Sequence, residues 1–307
     1  DVVSTLRAAG HDVRPIGVQE EIKPVRDEIE NFKPHVVFTL LEEFHYQTAY
    51  DQHIASFLEL MKVPYTGCNP RGLVLARGKD LSKTLVHHRR IAVPAFAVFP
   101  MRRKVKRPAR LALPLIVKSL NEDGSHGISQ ASIVDTDEKL AERVAFIHER
   151  IETAAIAEQF IEGRELYVGV LGNNRLRALP VWELKFGTMG GGRHIATEKV
   201  KHDTSYQERV GIVDGPAKGL APDVSARIQR TAKRIYRTLG LDGYARIDFR
   251  LAPDGTPYFI EANPNPEIAK NQEFATAAKR DGLDYPNLLH RILALGIRRA
   301  KAGASIG

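Results

Sequence analysis

Two periodicities divide the chain. Apolar residues recur at helical spacing in VVSTLRAAG up to Ala9, in a charged stretch ending at Phe32, and from Thr48 to Lys62, whereas HDVRPIGV and HVVFTL read as short strands. Helix alternating with strand up to about residue 78 argues a parallel sheet with helices on its faces. A helix from Asp80 to Arg90 leads into a second segment, with strands at Phe96–Phe99, Leu115–Ser119 and Ser129–Val134 and a helix from Glu138 to Arg150. A third segment opens at AAIAEQFI and runs through a hairpin to the final helices. The chain enters its first helical pattern directly at Asp1, so a strand of the first domain is expected upstream.

The hairpin carries the most chemistry. ARIDFRL and PYFIEAN both alternate with period two, and Asp254-Gly255 between them is a tight-turn signal. With those two residues as the turn, Asp248 faces Glu261 and Arg246 faces Asn263, all four on one side. Carboxylates opposed at about 5 Å repel unless a cation lies between them. Two carboxylates and an amide offering only oxygen suit Mg2+, a hard cation that shares its shell with phosphates, with Mn2+ as an alternative. The competing reading is a solvated hairpin, against which Phe249, Phe259 and Ile260 must occupy the other face or the flanks.

Within PLIVKSLNEDGSHGISQASIV, a loop with Gly124, Ser125 and Gly127 separates two strands and can present backbone N–H groups to a phosphate. Lys118 interrupts the apolar run Leu115-Ile116-Val117, and a lysine in a buried strand needs an anionic partner or an exit to water. TMGGGRHIATEKVKHD adds a glycine-rich stretch entering a basic segment, the composition of a mobile lid.

Composition narrows the class. The chain has 307 residues and 43% hydrophobic content, enough for two or three cores. Cys68 is the only cysteine, which excludes an internal disulfide and fits a reducing compartment. No apolar run reaches membrane-spanning length, and a cytoplasmic location is expected. The net charge of +8 raises nucleic acid as a partner, with Arg102, Arg103, Lys104, Lys106, Arg107 and Arg110 as its densest run. That run lacks stacking aromatics and lies between two strands, so a solvated loop is the better reading. A positive enzyme that binds polyphosphate and carboxylates accounts for the remaining charge.

These motifs together resemble the ATP-grasp ligases, and in particular the D-alanine–D-alanine ligase family, whose metal hairpin also ends in Glu-Ala-Asn-Pro with an arginine two residues before the aspartate. The resemblance runs from about Val63 to Leu295. It implies a mixed α/β and α+β fold: an N-terminal parallel α/β domain (1–78), then two α+β subdomains (79–156 and 157–307) that sandwich ATP. It implies ATP as co-substrate, two Mg2+ ions on Asp248, Glu261 and Asn263 with Glu261 bridging, and Arg246 as a catalytic residue stabilising charge on the acyl group. Lys79 and Lys118 would contact the phosphates under the loop of Gly124 and Ser125, Ser125 being counted as catalytic. The stretch Glu158, Gln159, Phe160 and Ile161 would be the adenine hinge, and Glu165 would hold the ribose. From the lid, Lys199 would reach the γ-phosphate, with Lys201 as the alternative.

The implied reaction joins a small-molecule carboxylate to an amine through an acyl phosphate, yielding ADP and phosphate; a homodimer is compatible with it. Substrate identity stays open, because FTLLEEFHYQTAYDQH replaces the family's His-Gly and Glu-Asp stretch. Pro264-Asn265-Pro266-Glu267 stands where a Ser-Pro-Gly run is usual, Gln272-Glu273 where a serine takes the acceptor carboxylate, and His126 where a second serine is common. Other amino acids or small amines are therefore alternatives to D-alanine, and a regulatory ATP-binding module or a nucleic-acid binder without ligase chemistry is the alternative of another class.

Overall fold

A computed structural model describes residues 1–121, 128–186 and 211–304, the last three by backbone only. Gly124, Ser125, His126, Lys199 and Lys201 lie outside the described residues. Among the described residues two antiparallel sheets carry the architecture. The first, in the order β1-β4-β2-β3, uses β1 (Phe96–Phe99), β2 (Leu115–Ser119), β3 (Ile133–Val134) and β4 (Ala155–Gln159). The second, β10-β9-β5-β7-β8, uses β5 (Arg164–Leu171), β7 (Trp182–Lys185), β8 (Val213–Pro216), β9 (Tyr244–Leu251) and β10 (Pro257–Pro264), with β6 (Arg177–Ala178) on β5.

The N-terminal region departs from expectation. Helices α1 (Val2–Ala8), α2 (Lys23–Phe32) and α3 (Asp51–Leu60) form where the periodicity places them. His11–Val18 is not a strand: most of its residues are exposed, and Pro15 withholds a ladder donor. The expected parallel sheet contracts to one bridge between Val37 and Tyr65, in which Val37 N–H donates to Pro64 O at 2.8 Å and Thr66 N–H to Val37 O at 2.9 Å. The space goes to helices, α4 (Pro70–Arg77) and α5 (Lys79–His88). α4 has a sequence signal that periodicity alone passes over: Asn69 accepts from Gly72 N–H at 2.9 Å as its N-cap, and Pro70 follows at the first turn.

Among the described residues three buried clusters set the layers. Leu58, Leu73, Val86 and Ile235 pack on Ile247 and Phe249, which places α3, α4, α5 and α7 (Pro222–Thr238) against one face of the second sheet. Leu6, Phe274 and Leu289 close its other face with α8 (Glu273–Arg280) and α9 (Tyr285–Ala304). The first sheet packs on α6 (Asp137–Arg150) through Val117, Val144 and Ile147. β4 spans residues 156 and 157 and pairs with β1 and β2, so the first sheet continues into the start of the third segment.

The N-terminal helices are tied to the second sheet by backbone contact. Gly243, at φ +69°, precedes β9, and a side chain there would place its Cβ 2.6 Å from Gly67 O. Arg299 of α9 donates to Gly67 O at 2.6 Å, Tyr65 O at 2.8 Å and Asp242 Oδ1 at 3.0 Å. The start of β9 is thereby held in place, and the residues that follow along it are the expected site.

Candidate active site

The hairpin reaches the expected opposition by a different route. Its loop closes between Ala252 and Thr256 rather than on Asp254-Gly255 alone: Ala252 N–H donates to Thr256 O at 3.0 Å, and Asp254 Oδ1 accepts from Thr256 N–H at 2.8 Å. Near the turn Phe259 therefore pairs with Phe249. Ile260 is then an extra residue, a β-bulge, and beyond it Glu261 pairs with Asp248 and Asn263 with Arg246. Two departures of one residue cancel, and the cluster forms as the pattern predicts.

Its interior is occupied by an arginine. Arg246 grips Asp248 with both prongs, Nε to Oδ1 at 2.8 Å and Nη2 to Oδ2 at 2.9 Å, while Nη1 reaches Glu273 Oε2 at 2.8 Å. The guanidinium lies 4.7 Å from the centroid of Tyr167, and Tyr167 donates its hydroxyl to Glu165 Oε1 at 2.8 Å. Asn263 Nδ2 donates to Asp248 Oδ2 at 3.0 Å. Among the described residues no three His, Cys, Asp or Glu side chains converge to hold a metal ion; the hairpin offers two opposed carboxylates and an amide. Hard oxygen donors of this kind fit Mg2+, which takes one or two carboxylates from protein and keeps the rest of its shell for water and phosphate.

A cleft runs from this cluster to the first sheet. It is lined by Lys118, Glu158, Gln159, Phe160 and Ile161 on one side and by Glu165, Asp248 and Glu261 of the second sheet on the other, so these eight of the residues expected from sequence share one cleft. Glu158 is 1% exposed and lies between two lysines: Lys118 Nζ is 3.4 Å from Oε2, and Lys83 Nζ is 3.3 Å from Oε1. Burial alone would raise the Glu158 carboxyl, but Lys118 and Lys83 hold it below the ordinary value. The two lysines respond oppositely. Burial outweighs attraction at Lys83 and lowers it to about 8; at Lys118 the attraction of Glu158 and Glu261 outweighs burial and raises it.

Sequence reasoning missed three features. Besides Lys79, which is buried, α5 carries Lys83 one turn later, and it is Lys83 that meets Glu158. Arg250 lines the cleft, donates to Gly163 O at 3.0 Å and stands 3.7 Å from Glu165 Oε2. Its signal was present, since it continues the face of Arg246 and Asp248 at period two. Ile260 was expected on the other face or the flanks, yet as the bulge it sets the register of Asp248 and Glu261. Within the basic run, Arg107 donates to Asp137 Oδ1 at 2.5 Å and to Leu111 O at 2.6 Å. No helix among the described residues is long and apolar enough to cross a membrane.

Comparison with known proteins agrees with this geometry. Residues 85–294 match the family model described as the D-ala D-ala ligase C-terminus. The D-alanine–D-alanine ligase of Desulfotalea psychrophila is 32% identical over 267 residues, 86% of this chain and 79% of that protein. The ligase of the same name from Bordetella petrii is 34% identical over 80% of this chain and 71% of its own length. An uncharacterized protein of Sinorhizobium fredii, y4sG, is 28% identical across the whole chain and 89% of its own. Among solved structures, Bacillus anthracis D-alanine–D-alanine ligase complexed with ATP superposes with a TM-score of 0.76 at 20% identity, over 98% of this chain and 91% of that one. The VanG D-Ala:D-Ser ligase of Enterococcus faecalis gives 0.68 at 24% identity, over 85% and 73%. Those two likenesses establish the fold, and the family match with the two ligases of more than 30% identity establishes membership: the chain belongs to the D-alanine–D-alanine ligase family of ATP-grasp enzymes, ATP-dependent ligases that form carbon–nitrogen bonds.

Proposed function

We propose that this ligase binds ATP in the cleft between its two sheets, converts a small-molecule carboxylate to an acyl phosphate and transfers the acyl group to an amine. The observation that carries the reading is the placement of Glu158 and Lys118 across one cleft from the opposed pair Asp248 and Glu261. Adenine would lie along Glu158–Ile161, with Ile161 as apolar wall and Glu165 toward the ribose. Lys118 supplies a fixed positive charge for the phosphates, and the loop of Gly124 and Ser125 and the lid lysine Lys199 are assigned to the same anion. Asp248, Glu261 and Asn263 would hold Mg2+, which when bound offsets charge on the phosphates.

The substrate carboxylate oxygen attacks the γ-phosphorus, the bond to ADP breaks, and an acyl phosphate remains. An amine then attacks the acyl carbon and gives up a proton, Arg246 stabilises the oxyanion of the tetrahedral intermediate, and orthophosphate leaves. Arg246 is prepared for this by the bidentate grip on Asp248, which fixes its plane. D-Alanine, another amino acid or a small amine are the candidate acceptors, and a cytoplasmic enzyme acting on free metabolites is the setting this chemistry fits.

The test is product analysis over a panel of amino acids and small amines. ADP and orthophosphate are expected, with hydroxylamine trapping a hydroxamate of the donor acid; AMP and pyrophosphate would replace this mechanism with adenylation.

A further inference from the structure

Lys83 has no part in the chemistry proposed above, yet it is 0% exposed. Taking an ammonium out of water costs several kcal/mol unless its partners repay it. Its partners stand on opposite walls of the cleft. One is the Glu158 carboxylate on β4, 3.3 Å away. The other is the backbone carbonyl of Ile260 on β10, to which Nζ donates. Between them the ammonium passes over the ring of Phe259, 5.4 Å from its centroid.

The Ile260 carbonyl has a particular need of a donor. Ile260 is the bulged residue, half-buried and without a partner in the register of β9, and the donor its carbonyl takes is the Lys83 ammonium. The bulge is also what brings Glu261 opposite Asp248; with the register of the turn continued, Glu261 would fall out of step with it. A single side chain from α5 thus stabilises the irregularity that makes the metal pair and holds the carboxylate that faces the nucleotide.

We infer that Lys83 is a positioning residue for both nucleotide and metal: its ammonium ties β4 to the bulge of β10 and so fixes the placement of Glu158 relative to Glu261. The inference rests on the cleft reading given above. It differs from a plain structural role in one respect. Removing Lys83 should weaken ATP binding and also raise the Mg2+ concentration that binding requires, because one contact serves both walls.

Calorimetry of the full chain with ATP, at saturating Mg2+ and across a Mg2+ series, reads both effects. Lys83→Met should raise the ATP dissociation constant and the half-maximal Mg2+ concentration, each on the order of tenfold for the loss of a charged hydrogen bond. Lys83→Arg keeps charge and donors and should recover most of both. A folded Lys83→Met protein with wild-type Mg2+ dependence would overturn the inference, as would an arginine variant that restores the melting temperature but not the Mg2+ response. If Lys83→Met does not fold, Lys83→Gln carries the same criteria, since it removes the charge and keeps a donor. Wild-type protein that binds no ATP at millimolar Mg2+ would overturn the cleft reading itself, and this inference with it.

Discussion

The two ends of the cleft are built from the same groups in opposite proportion. At the nucleotide end one carboxylate, Glu158, is shared by two lysines at 3.3 and 3.4 Å. At the hairpin end one guanidinium, Arg246, is shared by two carboxylates at 2.8 Å, Asp248 and Glu273, with Glu261 beyond. The first triad has a surplus positive charge and the second a surplus negative charge. Each arrangement offsets the charge of its central group, and each leaves over the sign that its ligand lacks: positive where phosphate would enter, negative where Mg2+ would sit. A cleft polarised in this way would orient Mg-ATP before any single contact is made.

The comparison predicts the heaviest loss where the negative surplus is removed at the metal pair itself. Glu261→Gln relieves the repulsion between opposed strands, so the fold should be intact or slightly more stable. Turnover should fall by about two or more orders of magnitude, roughly 3 kcal/mol or more of transition-state stabilisation. Near-normal turnover, with the substrates the panel identifies, would return the pair to a tolerated contact on a strand.

Arg246→Lys comes next, because it keeps the charge of the second triad and loses its geometry. An ammonium cannot grip Asp248 with two parallel hydrogen bonds and reach Glu273 as well. Capture of the acyl phosphate by amine should slow by about ten- to a hundredfold while ATP affinity changes little. The measurement is the ratio of amide formed to acyl phosphate lost to water or hydroxylamine. An equal fall in ATP affinity would place Arg246 among the nucleotide contacts instead.

Why the hairpin end was legible and the other end only partly so follows from the two periods. A strand with period two displays its face directly: Arg246, Asp248 and Arg250 are written at alternate positions, and their opposition to Asn263 and Glu261 follows from counting. Even there the bulge and the wider turn were invisible, since each shifts the count by one and the sum hides both. In α5 the helical pattern misleads. Leu81 is 40% exposed and Lys83 is 0% exposed, an inversion of the usual apolar-in order that only the acidic partner on β4 and the carbonyl on β10 can explain. Both partners are remote in sequence, so the pattern of the helix gives no sign of Lys83 beside the Lys79 that opens it. In the N-terminal region, short alternating runs such as His11–Val18 carry a strand pattern without a neighbour to pair with, and pattern alone cannot supply one.

The two lysines of the first triad should also separate in their pH dependence. Burial, eased in part by Glu158, brings Lys83 to about 8 from its ordinary 10.5. Between those values the unfolded chain holds a proton that the folded one has released, so the contribution of Lys83 to stability rises with pH across about 8 to 10.5. Lys118 has the opposite sign: its raised value means a contribution complete below 10.5 and lost above it. Urea midpoints of wild type and Lys83→Met at pH 7.5 and 9.5 should show the wild type gaining on the variant by about 1 to 2 kcal/mol. A difference that does not change with pH would mean that Lys83 keeps its proton throughout, and that the first triad is more strongly positive than its burial implies.

The smallest expected effect is at Glu273, and it bears most directly on the polarity of the cleft. Glu273 shares Arg246 but is not paired with Glu261 across the strands, and its side chain is 26% exposed. Glu273→Gln leaves an amide oxygen to accept from Arg246, so stability should change by less than about 1 kcal/mol. What changes is the charge count: the second triad goes from a surplus negative charge to neutral. The Mg2+ concentration required for ATP binding should rise by about two- to threefold at low ionic strength, and the difference should shrink at 0.3 M salt, roughly where the Debye length drops below 6 Å. A local hydrogen-bond effect would not depend on salt in this way. No change at low salt would show that the surplus charge at the hairpin end is not felt by the cation, and that the two triads differ only in which side chain each one buries.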